Sequence, residues 1–221
     1  MRTSRLEAFS DGVLAIIITI MVLELKVPAE HALHDLFRTT GPGLLSYLLS
    51  FIYVGIYWNN HHHMFQLVPR IMGGVLWANL ALLFVLSLFP FTTEWMDETD
   101  FQPTPVVVYG VNLFLAGIAY LILQTVVIRQ QGPDSPLKRA IGRDLKGRLS
   151  GPFYLVGDLS ALLIDRNGHV GVGIALGCFV AVAIMWIVPD RRIERAIRDG
   201  QAPDGLPGGE LTGPAVRTGG R

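Results

Sequence analysis

The chain has 221 residues, of which 51% are hydrophobic and 16% charged, and its eighteen Lys and Arg balance eighteen Asp and Glu. A soluble domain carries about 25% charged residues, so this chain is too apolar to be one, and its zero net charge argues against both a nucleic-acid binder and an acidic disordered chain. A single cysteine, Cys178, excludes an internal disulfide and a cysteine-based metal cluster.

A bilayer-crossing helix needs roughly 20 mostly apolar residues. The first expected span, near 5–25, has a charge-free centre of only 12 residues, Gly12 to Leu23. Two arginines before an apolar stretch resemble a secretory leader, but Glu7 and Asp11 lie where a leader is purely basic. Ser4 followed by Glu7 fits a capping box, so the segment reads as an uncleaved helix. Along it Phe9, Gly12, Ile16, Ile20 and Leu23 form one narrow stripe at 100° per residue, with Thr19 beside it. Such a stripe serves either helix packing or the hydrophobic constriction of a pore.

Thirty-one residues without Asp, Glu, Lys or Arg separate Arg38 from Arg70, and the second span is placed near 44–63. It ends in a polar run, Trp58-Asn59-Asn60-His61-His62-His63. Consecutive histidines on a helix point about 100° apart, so all three cannot hold one metal ion or a haem. A polar cluster that buttresses the first helix fits better, and histidine protonation would then make the protein pH-sensitive. The third span is expected near 71–93, followed by an acidic loop of Glu94, Asp97, Glu98 and Asp100. The fourth is expected near 104–128.

The fifth, near 149–165, is interrupted by Asp158, an acid read as hydrogen-bonded to Ser160, a backbone group or a neighbouring helix, or as the carrier of a proton-coupled transporter. The sixth, near 168–189, carries Gly171, Gly173 and Gly177, which permit close helix approach. Trp58, Trp95 and Trp186 stand near span ends as interfacial anchors do. Residues 1–190 thus read as an all-α membrane domain of six spans, and 191–221 as a basic, then Gly/Pro-rich disordered tail. Six spans with both termini in the cytoplasm put fifteen Lys and Arg inside and three (Lys26, Arg38, Arg166) outside, which fits the positive-inside rule.

Arg5 with Phe9-Ser10-Asp11-Gly12 at the head of a first helix running to Val22-Leu23-Glu24-Leu25 resembles the signature of the lysosomal potassium channel (transmembrane protein 175) family, in its prokaryotic single-repeat branch. The polar ending Trp58, Asn59, Asn60, His61 and His62 agrees. The resemblance implies a homotetramer in a prokaryotic cell membrane, with a central pore lined by the first helix and no enzymatic activity. It implies Ile16 as the constriction, Thr19 as the residue linked to selectivity, and Leu23 as a further apolar ring; Ile20 shares their stripe. It also implies a network of Arg5, Phe9, Ser10 and Asp11 that holds the pore helix, with Trp58, Asn59, His61 and His62 beside it. An Arg5–Asp11 pair would offset the cost of a carboxylate near the membrane.

No Thr-Val-Gly-Tyr-Gly run is present, so selectivity would rest on pore width and threonine hydroxyls, favouring potassium over sodium. No cofactor is expected. The partners are further copies of the chain, the bilayer and monovalent cations, above all the permeant potassium ion. The alternative function is a proton-coupled secondary transporter using Asp158 and the His61–His63 cluster. A haem oxidoreductase on the histidines is disfavoured.

Overall fold

The computed structural model describes residues 3–29, 31–68, 70–132, 135–141, 145–164 and 169–187. These form eight α-helices and no sheet: α1 (Thr3–Leu23), α2 (Leu33–Gln66), α3 (Gly73–Leu86), α4 (Phe89–Glu98), α5 (Pro103–Gln131), α6 (Pro136–Ile141), α7 (Leu145–Leu163) and α8 (His169–Ile187). Five helical stretches among the described residues are long and apolar enough to cross a membrane, with α3 and α4 counted together as Gly73–Glu98. The expected tail 191–221 lies outside the described residues.

Several boundaries differ from the sequence reading, each for a local reason. α1 already includes Thr3, so Ser4 lies inside its first turn and is not the cap. α2 begins eleven residues before the expected Leu44, because its first turns carry His34, Asp35 and Arg38 and extend beyond the charge-free run. The acidic residues Glu94 and Asp97 belong to helix α4, not to a loop. The third span is broken at Ser87–Leu88. Pro90 there has no N–H to donate one turn back, and the α4 start tolerates it in the first turn. The Ser87 hydroxyl donates to the Phe84 carbonyl at 2.7 Å and helps close the end of α3.

The helix ends sort into two sets, as an alternating up-and-down chain requires. At one end Thr3 Oγ1 donates to the Val68 carbonyl, and Gln130 and Gln131 on α5 donate to the carbonyls of Arg70 and Leu67. At the opposite end Thr40 donates to the carbonyl of Lys26, and Lys26 faces Asp97 at 3.8 Å.

α5 packs against α3, α4, α7 and α8, and α7 lies along α8. In lipid there is no hydrophobic drive between helices, so contact relies on close packing and polar links. Ser50 of α2 hydrogen-bonds Thr93 of α4 at 2.7 Å and Tyr109 of α5 at 3.0 Å, all buried. Asn112 Nδ2 donates to Thr92 Oγ1 at 3.2 Å, and the Tyr53 hydroxyl donates to the Phe179 carbonyl of α8 at 2.7 Å. Gly171 meets the carbonyl oxygens of Ser160 and Ile164 so closely that no Cβ fits, which seats α8 on α7. Gly173 and Gly177 have open space before them, so within the subunit only Gly171 of the three serves close approach.

Candidate functional site

α1 has two unlike faces. Leu6, Ser10, Leu14, Ile17 and Met21, spaced by three and four residues, are buried against the rest of the subunit. The stripe on the other side stays outside: Phe9 is 55% exposed, Ile16 59%, Ile20 41% and Leu23 79%. A Cβ added at Gly12, on the same stripe, would meet nothing within 4 Å. Thr19 stands exposed beside the stripe and its hydroxyl donates to its own helix, to the carbonyls of Ile16 at 2.9 Å and Ala15 at 3.1 Å. With its proton turned inward, the oxygen keeps its lone pairs for an outside donor or cation.

The buried face is fixed by a polar chain across three helices. Ser10 of α1 is 0% exposed and Asn79 of α3 is 2% exposed. Asn79 Nδ2 donates to Ser10 Oγ at 3.0 Å, while Asn79 Oδ1 lies 2.8 Å from Nε2 of the buried His61 on α2. The His61 ring also packs on Phe65, with centroids 4.6 Å apart. Sequence reasoning missed Asn79. The signal was there, since it is the sole amide in the otherwise apolar helix Gly73–Leu86.

A second, more exposed link lies one residue along α1. Trp58 Nε1 donates to Asp11 Oδ1 at 3.0 Å. Trp58 stacks on His62 at 6.2 Å between centroids, and His62 in turn approaches Glu7 at 3.5 Å and Gln66 Nε2 at 2.8 Å. The expected Arg5–Asp11 pair is not made: among the described residues no ion pair joins them, and the Trp58 indole takes the carboxylate instead. Phe9 lies on the outward stripe and takes no part in the buried chain. Asn59 makes no hydrogen bond among those of the described residues, whereas the neighbouring Asn60 carbonyl accepts one from Tyr120. Trp58 therefore ties α1 to α2.

His61, His62 and His63 diverge, as consecutive helix positions must: the first turns to Asn79, the second to Trp58 and Glu7, and His63 Nδ1 is buried without a partner among the described residues. Asp158 is 8% exposed, and its Oδ1 also lacks a partner. It presses on Gly110 of α5, where a Cβ would overlap the carboxylate. Ser160 is not its partner, because that hydroxyl lies 2.7 Å from the Gly157 carbonyl and 3.0 Å from that of Gly171. Asp158 and the histidines share no contact among the described residues.

Residues 5–90, which hold every position of this α1–α2–α3 assembly from Arg5 to Asn79, match the family model described as endosomal/lysosomal potassium channel TMEM175. The chain is 49% identical over 199 residues to a potassium channel from Chryseobacterium, covering 90% of this chain and all of that one. It is 33% identical over 144 residues to the human endosomal/lysosomal proton channel TMEM175, covering 58% of this chain and 28% of that protein. Its fold is similar to the crystal structure of a lysosomal potassium-selective channel TMEM175 homolog from Chamaesiphon minutus, with a TM-score of 0.68, 28% identity, and coverage of 85% of this chain and 97% of that one.

Proposed function

The chain belongs to the endosomal/lysosomal potassium channel TMEM175 family, and on that premise we propose that it is a potassium-permeable membrane channel whose pore is lined by α1 from four copies. One observation carries this reading: the apolar stripe Ile16, Ile20 and Leu23 stands outside its own subunit while the opposite face of α1 is locked by buried polar bonds. One copy of one helix cannot enclose an ion path, so several must surround it, and the homotetramer follows the family resemblance. α7, with 19 residues, is about 28 Å long at the helical rise of 1.5 Å per residue, close to the hydrocarbon thickness of about 30 Å. Lys146, Arg148 and Asp158 make it less apolar than the others, and we count it as the fifth of six spans, with both termini cytoplasmic. Residues 1–190 are the channel domain and 191–221 its tail.

In this arrangement rings of Ile16, Ile20 and Leu23 form the constriction, which shuts by excluding water. A ring of Thr19 oxygens, each with its proton already given to the helix, offers lone pairs to a partly dehydrated cation. A cation that sheds water more readily gains more there, so potassium is favoured over sodium. Ser10, Asn79 and His61 hold the pore helix from behind, and Asp11 with Trp58 holds its inner end. No cofactor takes part.

Reconstitution into liposomes with opposed potassium and sodium gradients tests the proposal. Flux down the electrochemical gradient with no counter-ion is the expected result. A strict exchange stoichiometry would overturn it in favour of the second reading, a proton-coupled transporter, which the unpartnered oxygen of buried Asp158 favours. Against that reading, His61 and His62 are committed to other partners, and none of the three histidines hydrogen-bonds Asp158 among the described residues.

A further inference from the structure

A cavity of about 70 Å³ lies among α2, α5, α7 and α8. Three glycines on its wall, Gly117, Gly147 and Gly151, leave the space by having no side chains. Ile118 and Leu121 of α5, which also line it, are exposed on the outside of the subunit. Four tyrosines and Trp186 also line it, and the Lys146 ammonium lies 5.8 Å from the centre of the Trp186 ring.

Most polar groups on the wall already have partners; the Tyr57 hydroxyl, which faces Gly117, makes no hydrogen bond among those of the described residues. The Tyr154 hydroxyl donates to that of Tyr53, which donates to the Phe179 carbonyl. The Tyr120 hydroxyl donates to the Asn60 carbonyl, and Ser150 accepts from Trp186 Nε1 while donating to the Lys146 carbonyl. Roughly 10–15 Å³ admits a water only if two to four polar groups receive it, and here nearly all of them are already used. The wall asks for hydrocarbon. Lys146, held over the ring of the lining Trp186, supplies a cation for an anionic headgroup, and Trp186 stands near the end of its helix as an interfacial anchor does.

We propose that this groove binds a short stretch of one acyl chain of an anionic phospholipid, a few methylenes lying along Gly117 and Gly151 and the phosphate meeting Lys146. The bound lipid fills the gap between α5 and α7 and so becomes part of the packing of α7 and α8. The site goes beyond ion conduction and does not depend on which ion passes.

The test uses the full channel reconstituted in vesicles of equal phosphatidylcholine and phosphatidylglycerol, extracted gently and weighed by native mass spectrometry. The wild type should retain phosphatidylglycerol. Gly117→Leu and Gly151→Leu fill the groove from its two walls, and a Cβ at either glycine meets only ordinary contacts, at 3.9 Å to Tyr57 and 3.7 Å to Phe114. Each should cut the retained lipid about tenfold, equivalent to the loss of about two buried methylenes. Lys146→Gln should lower the preference for phosphatidylglycerol about fivefold, the worth of one cation near the headgroups, while leaving total lipid nearly unchanged. Undiminished lipid in both groove-filling variants overturns the site. A changed subunit number in those variants also overturns it, by assigning the groove to a second copy of the chain.

Discussion

Replacing Asn79 with Ala is the most direct test of how α1 is held. The side chain makes two buried hydrogen bonds, 3.0 Å to Ser10 and 2.8 Å to His61, and both partners are at most 2% exposed. Side-chain bonds between membrane helices average about 0.6 kcal/mol in double-mutant cycles, which puts the floor for two near 1.2 kcal/mol. Leaving two buried polar groups unsatisfied costs about 1–3 kcal/mol each, which puts the ceiling near 6 kcal/mol. The expected loss is about 2–4 kcal/mol, or a fall of about 5–15 °C in the thermal midpoint of the purified channel. Trp58→Phe removes a hydrogen bond at an exposed site and should cost less than about 1 kcal/mol. Asn79→Leu separates polar loss from cavity loss, since it restores volume and still orphans Ser10 and His61. It should be no more stable than Asn79→Ala. If Asn79→Ala melts within the error of wild type, or Asn79→Leu recovers the midpoint, the polar clamp is not what seats α1.

Three further predictions follow from named contacts. Ile16→Asn places a water-binding amide in the proposed constriction and should raise basal potassium flux into liposomes by about an order of magnitude; unchanged flux would remove Ile16 as the gate. Thr19→Val deletes the outward oxygen at nearly constant volume and should move the potassium-to-sodium permeability ratio toward unity in bi-ionic recordings, whereas Thr19→Ser should preserve it. Gly171→Ala drives a Cβ into the carbonyls of Ser160 and Ile164 and should destabilise by about 1–3 kcal/mol. Gly173→Ala meets open space and gains helix propensity of up to about 1 kcal/mol, so the two alanines should shift the thermal midpoint in opposite directions.

Much of the site was legible because particular residues break a rule. Asp11 and Asp158 stood out as acids near or within apolar runs, and the structure gives one an indole partner and leaves one oxygen of the other without any. The stripe of Phe9, Ile16, Ile20 and Leu23 could be drawn from helical period alone. Its outward aspect could not, because Leu14, Ile17 and Met21 on the opposite face are just as apolar. Asn79 passed unnoticed beside longer polar runs, although an amide amid Val, Leu and Ala is the same kind of exception.

The sequence by itself determined that the chain is helical and membrane-embedded, and where most of its long apolar helices lie. These properties depend on length, hydropathy and charge, which act locally along the chain. Only the tertiary structure decided which face of α1 is buried, that Asp11 meets Trp58 and not Arg5, and that Ser10, Asn79 and His61 form one chain. The physical reason is that lipid is as apolar as a packed helix face. Hydrophobic pattern therefore cannot separate lipid, pore and neighbour in a membrane protein, and a hydrogen-bond partner is chosen by geometry between helices distant in sequence.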